Sequence, residues 1–254
     1  MTFGQVVSLF DPGHLNPKLN QQFLLWLIRG QCFLSKMAGT SGTLDVNALS
    51  SAPGQLSILS FNMHGFNQGC TALQDLCESN EYDVIFIQEH WVSPCLMNKI
   101  LNISNKYVGF GISAMEAAVP IRLLRGRPRG GAAVLIKEKL ASLCTDIITF
   151  ERVVSVRISD MLLINSYMPC DDSSDEALNN LNEVLANICN IIEDSTAQYY
   201  IFGCDLNVNL QGQSAHSLAI NEFLKMYHMN LASAADPGAM QIDYTFANEK
   251  LNHY

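Results

Sequence analysis

Positive charge is scarce in this chain. Lysine and arginine together number 15 against 24 aspartates and glutamates, for a formal net charge of -9. That balance excludes a protein that holds nucleic acid by overall charge. It leaves room for one that meets phosphate through a bound cation, because metal-binding carboxylates themselves raise the negative count. Paired cysteines are missing too. The eight cysteines lie singly in apolar segments, as at Cys77, Cys144, Cys189 and Cys204, with no Cys-x-x-Cys. This pattern excludes a zinc or disulfide framework and reads as reduced thiols in an intracellular protein. Long hydrophobic runs are absent as well. The strongest apolar stretch, residues 23–28, is too short to span a bilayer, and no basic cluster precedes it as in a signal peptide. It reads as a short packing helix or, failing that, a membrane-surface anchor.

What is present is a globular composition, 48% apolar and 15% charged, over a length that suits one large α/β domain. Residues 40–54 are rich in small and polar side chains and read as a linker. Residues 1–54 are therefore expected to be a poorly ordered extension, and the domain to occupy 55–254.

From residue 55 onward short apolar strands alternate with helices. Strands are expected at 56–61, 83–88, 131–137, 153–158, 162–165 and 199–207. Helices are expected at 71–79, after Ser93-Pro94, at 174–194 and at 217–228. The clearest helix is 174–194, where Leu178, Leu181, Leu185, Ile188 and Ile192 form one apolar stripe behind a capping-box candidate, Ser173-x-x-Glu176. Asp171 and Asp172 ahead of it suit its N-terminal dipole. Alternation of this kind implies layered sheets inside and helices outside.

Several core strands end in polar groups: Asn62, Glu89, Tyr167, and the pair Asp205 and Asn207. If strand geometry persists through Leu206, side-chain alternation offers Asp205 and Asn207 together at the sheet rim. The competing reading is a turn in which the Asx side chains bond their own backbone. Glu89 is a hard oxygen ligand suited to Mg²⁺ or Mn²⁺. Asp205 can position or deprotonate a water, while Asn62, Asn207 and Tyr167 can donate to a phosphoryl oxygen. Such equipment suits metal-assisted phosphodiester hydrolysis. A loop carrying Arg122, Arg125, Arg127 and Arg129 without an acid forms a local basic patch for DNA phosphates. His14, His216 and His228 show no ligand spacing and read as structural or exposed.

Ser60-Phe61-Asn62, Ile87-Gln88-Glu89, Asn165-Ser166-Tyr167-Met168-Pro169, Gly203-Cys204-Asp205-Leu206-Asn207 and Tyr244-Thr245-Phe246 together resemble the successive motifs of the endonuclease/exonuclease/phosphatase (DNase I-like) superfamily. Gln88-Glu89-His90-Trp91 and the run from Gly126 to Leu135 are similar in particular to the apurinic-endonuclease-like domain of non-LTR (LINE-type) retrotransposons. The resemblance implies a four-layer α/β sandwich, two mixed sheets face to face and flanked by helices. It implies Mg²⁺, with Mn²⁺ as a substitute, held by Glu89 with help from Asn62. It also implies phosphate contacts from Tyr167 and Asn207, water activation by Asp205, and support or DNA contact from Thr245. A DNA-nicking, nuclear, retroelement-derived enzyme is the activity so implied. A lipid or phosphoinositide phosphodiesterase and a non-catalytic remnant are the alternatives. Three departures stand out. His64 replaces an acid common in the family, Cys204 replaces a glycine, and the closing Ser-Asp-His motif with its strand is not found before Tyr254.

Overall fold

Apolar residues crowd both faces of the central strands, and the chain satisfies them by stacking two sheets between helical layers. The computed structural model describes residues 26–28, 56–116, 129–231 and 243–248, with the backbone alone at 26–28, 231, 243–245 and 248. The first sheet runs β1 (Trp26–Ile28), β2 (Ile58–Asn62), β3 (Val84–Gln88), β5 (Ala132–Lys137), β4 (Tyr107–Ile112) from edge to edge. The second runs β10 (Met229–Leu231), β11 (Asp243–Asn248), β9 (Tyr199–Asp205), β8 (Met161–Tyr167), β7 (Val153–Ile158), β6 (Cys144–Phe150). Both sheets are mixed: β2 with β3 and β8 with β9 pair parallel, and their other neighbours pair antiparallel.

Side-chain alternation divides each strand between two cores. Val84 and Phe86 of β3 meet Val154, Val156 and Leu163 of the opposite sheet, whereas Ile85 and Ile87 pack under Leu73, Leu76 and Cys77 of α1 (Phe66–Ser79). On the far side, Ile164 and Phe202 lie beneath Leu181, Leu185 and Ile188 of α3 (Asp175–Asp194) and beneath Ile220 and Phe223 of α4 (Ala215–Met226). Strands covered on both faces read as continuous hydrophobic runs, which is why they were legible in sequence. The sheets approach closely at Gly203, since a Cβ there would strike the Phe86 ring.

Several boundaries differ from expectation. Helix α1 starts at Phe66, ahead of the expected start at 71, with the Gly69 N–H bonded to the Gly65 carbonyl. The helix expected after Ser93-Pro94 is a 3-10 turn, Pro94–Leu96, followed by the one-turn α2 (Asn98–Leu101). The cap of α3 is Ser174, whose side chain accepts from the Ala177 N–H; Ser173 sits one residue outside in a left-handed conformation (φ 63°). Trp26–Ile28 form a strand, not a helix, antiparallel to β2. Aromatic and branched residues suit that pairing, and it covers an edge that β2 would otherwise expose. Strands β4 and β6 had no clear sequence signal, β4 because Gly109 and Gly111 interrupt its pattern and β6 because it is largely solvent-facing. No described helix is long and apolar enough to cross a membrane.

Candidate active site

The site is built where two parallel strand pairs, one from each sheet, end at a common rim. Asn62 on β2 is in register with Gln88 on β3, and Glu89 follows directly. Tyr167 on β8 is in register with Asp205 on β9. Parallel pairing carries neighbouring strands out of the sheet at the same end, so residues far apart in sequence arrive together.

The two halves are joined by side chains. Asn62 Nδ2 donates to Asp205 Oδ2 at 2.9 Å. This fixes the amide with Oδ1 on the opposite side, where it accepts the His64 backbone N–H at 3.0 Å and lies 3.4 Å from His64 Nδ1. The same ring nitrogen is 3.1 Å from Glu89 Oε2. Glu89 is nearly buried and holds a left-handed backbone (φ 52°), which turns its carboxylate across the strand end. Asp205 is fully buried.

Strand geometry does not persist through Leu206. β9 ends at Asp205, whose Oδ1 accepts the Asn207 N–H at 3.1 Å, and Asn207 is left-handed (φ 52°). The Asx turn and the rim arrangement therefore coexist. Asn207 returns by donating from Nδ2 to the Met168 carbonyl at 2.9 Å, which ties the loop after β9 to the loop after β8.

Tyr167 is half-buried at the same rim. Burial, and after it the carboxylate of Glu89, pushes its phenol well above the ordinary tyrosine range, so the hydroxyl stays protonated as a donor. Arg152 lies over its ring with the guanidinium carbon 5.6 Å from the centroid. Sequence reasoning missed Arg152, which sits in a β-turn with no motif around it. Gly130 (φ 60°) also leaves room for the Tyr167 ring, since a Cβ there would come within 3.0 Å of it. This brings exposed Arg129 to the neighbourhood of the site. Arg122, Arg125 and Arg127 lie outside the described residues. Thr245 is in β11 opposite Gly203, while Asp243 is opposite Asp205.

A buried polar clamp supports the rim from below. Gln88 Nε2 donates to Asn165 Oδ1 at 2.6 Å and to Ser60 Oγ at 3.0 Å, and Asn165 Nδ2 donates to the Ile87 and Ala133 carbonyls, each at 2.8 Å. Asn165 belongs to the second sheet and its partners to the first, so the clamp pins the sheets together beneath Asn62 and Asp205. Every member is partnered, the condition under which such a network rigidifies a core. Gln88 and Asn165 fell inside recognised motifs, but no sequence signal indicated that they touch.

Two histidines have structural duties. His90 is fully buried, its Nδ1 accepts the Val92 N–H at 3.0 Å, and Nε2 faces the Ile112 carbonyl at 3.1 Å. Burial pulls its pKa down to about 4, so the ring is neutral. His216 is also buried and pairs through Nδ1 with Asp171 Oδ1 at 3.3 Å. Asp171 thus ties α4 to the loop ahead of α3, a role the helix-dipole reading did not include. Asp172 does serve the helix start, accepting from the Ser174 N–H and hydroxyl.

The donor set fits a divalent cation. Glu89 and the oriented Oδ1 of Asn62 are hard oxygens on one side of the rim, the pattern of a cation that keeps several waters. Among the described residues no three His, Cys, Asp or Glu side chains form a complete cage. The described cysteines are free thiols.

At the level of sequence, no family model and no curated protein matches the chain. Solved structures do. The chain is similar to an AP endonuclease from Archaeoglobus fulgidus, at 14% identity over 78% of this chain and 88% of that one, with a TM-score of 0.55. It is similar to the 3'-5' exonuclease NExo from Neisseria meningitidis, at 12% identity over 76% and 87%, with a TM-score of 0.55. It also resembles the endonuclease domain of TRAS1, a telomere-specific non-LTR retrotransposon, at 16% identity over 76% and 84%, with a TM-score of 0.52. At these identities the likeness shows the fold, the DNase I-like sandwich that the motif order implies.

Proposed function

We propose that this chain is a metal-dependent phosphodiesterase that nicks DNA, of the kind carried by non-LTR retrotransposons. The observation that carries the reading is the convergence of Asn62, Glu89, Tyr167 and Asp205, from two sheets, on one rim. A divalent cation held by Glu89 and Asn62 Oδ1 would supply positive charge to a phosphoryl oxygen. The chain's own groups do the rest. Asp205, fixed by Asn62 and by the Asn207 N–H, presents a carboxylate at the strand end to orient a water and accept its proton. Tyr167 keeps its proton and donates to the phosphoryl oxygen on which charge develops. Arg152 and Arg129 add positive charge on the Tyr167 side, where the phosphodiester backbone would lie. Fold neighbours that act on DNA support this substrate, as does the basic stretch containing Arg129. The reading implies work in the nucleus.

The test is incubation of supercoiled plasmid with the chain and Mg²⁺ or Mn²⁺, with and without a chelator. Open circles that appear only with metal, and vanish with Glu89→Gln, are the expected result. Release of inorganic phosphate from a sugar or inositol monophosphate without DNA nicking would instead assign the site to phosphatase chemistry.

A further inference from the structure

The metal position has a third donor that the phosphodiesterase reading does not require. His64 Nδ1 is 3.1 Å from Glu89 Oε2 and 3.4 Å from Asn62 Oδ1. Neighbouring ligands of an octahedral cation with bonds of about 2.1 Å are separated by about 3.0 Å, the bond length multiplied by the square root of two. The imidazole nitrogen therefore stands from both oxygens at roughly the spacing of adjacent ligands on one ion.

The ring is held there by more than its contact with Glu89. His64 has a left-handed backbone (φ 53°), and its N–H donates to Asn62 Oδ1 at 3.0 Å, closing a short turn that aims the side chain at the rim. Its plane is stacked on Trp91, with centroids 6.0 Å apart and an interplanar angle of 24°. Asn62 is itself oriented by Asp205. Yet the His64 side chain is 59% exposed, so a cation could enter with its waters. A residue serving only as a hydrogen-bond partner for Glu89 would not need to be shared with the Asn62 oxygen.

We propose that His64 is a nitrogen ligand of this metal position, and that the site consequently selects Mn²⁺ and related first-row cations over Mg²⁺. Mg²⁺ favours oxygen ligands and surrenders water reluctantly, whereas imidazole binds transition cations well. The proposal deepens the phosphodiesterase reading and rests on its metal site, but it concerns which ion binds and through which atom.

The experiment is a titration of the metal-free full chain with Mn²⁺, followed by electron spin-echo modulation of the bound ion, with Mg²⁺ affinity measured by competition. The wild-type chain should show coupling to an imidazole nitrogen. His64→Asn, which tolerates the left-handed backbone and supplies oxygen in place of nitrogen, should lose it. The preference for Mn²⁺ over Mg²⁺ should fall by about tenfold in His64→Asn and in His64→Asp. Bound Mn²⁺ without nitrogen coupling in the wild type would overturn the proposal, as would an unchanged preference in His64→Asn. Plasmid nicking separates the two readings. A chain that nicks but shows no nitrogen coupling removes His64 alone, whereas nitrogen coupling in a chain that never nicks DNA keeps the ligand and removes the nuclease.

Discussion

Asn62 and Asp205 are 143 residues apart in the chain, and a 2.9 Å hydrogen bond joins them across the two sheets. The bond decides which way the Asn62 amide faces. With Nδ2 committed to Asp205, Oδ1 is left toward His64, whose ring nitrogen also meets Glu89. One contact thus links the carboxylate assigned to the water with the oxygen assigned to the metal.

Asp205→Asn should therefore damage more than one function. It removes the proton acceptor and sets an amide against the Asn62 amide, so the orientation of Oδ1 is lost. Nicking should fall by about 10² to 10⁴, the range of a general base. Glu89→Gln should abolish the stabilisation that added Mn²⁺ confers on the wild type in thermal melts, because an ion that no longer binds the native state cannot stabilise it.

Tyr167→Phe keeps the ring, and with it the Arg152 contact and the packing beside Gly130. Only the hydroxyl donor is removed. The nicking rate should drop by about 10² with little change in DNA affinity, as for loss of one donor to a developing oxyanion. The raised Tyr167 pKa means that the wild-type rate should show no loss from phenol ionisation between pH 7 and 9. An equal loss of binding and rate would show instead that the hydroxyl anchors the ground state.

Gly203→Ala should destabilise the protein by about 1–3 kcal/mol, the usual cost of overpacking, since the added methyl would meet the Phe86 ring. Phe86→Leu, destabilising alone, should recover part of this loss in the double variant. Urea unfolding of the four proteins measures the coupling. Strict additivity would mean that the sheets part easily at this point.

Acid should weaken the fold through His90. Its pKa is lowered from 6.5 to about 4, so the unfolded chain binds a proton between those values that the folded chain refuses. Stability is full above pH 6.5 and declines as pH falls towards 4. The loss attributable to this residue is about 3 kcal/mol, from 1.36 kcal/mol per unit. His90→Gln should be less stable at pH 7 yet lose less between pH 6.5 and 4. Parallel pH dependences for the two proteins would exclude His90 as the source.

Much of this architecture was visible in the linear sequence for one physical reason. Strands buried on both faces, such as Val84–Gln88, must be apolar almost throughout, and a polar residue at their end is conspicuous. The same holds for the stripe of α3, where Leu181, Leu185, Ile188 and Ile192 are all buried. The edge strand Cys144–Phe150 was illegible because most of its side chains face solvent. Trp26–Ile28, within a stretch that reads as a packing helix, is a strand. Arg152 and the pairing of His216 with Asp171 were illegible for a different reason, since each depends on a partner from another part of the chain.

By itself, then, the sequence determined the layered fold and the residue types that end its inner strands. Hydrophobic periodicity and strand termination are local properties, encoded within about ten residues. Tertiary structure alone decided which of those ends meet. Parallel pairing within each sheet, and the clamp of Gln88 and Asn165 between them, bring Asn62, Glu89, Tyr167 and Asp205 to one rim. It also decided that Asp205 both caps a turn and holds the Asn62 amide, and that His64 faces the same oxygen. Hydrogen-bond direction and donor spacing follow from three-dimensional packing, and no pattern along the chain expresses them.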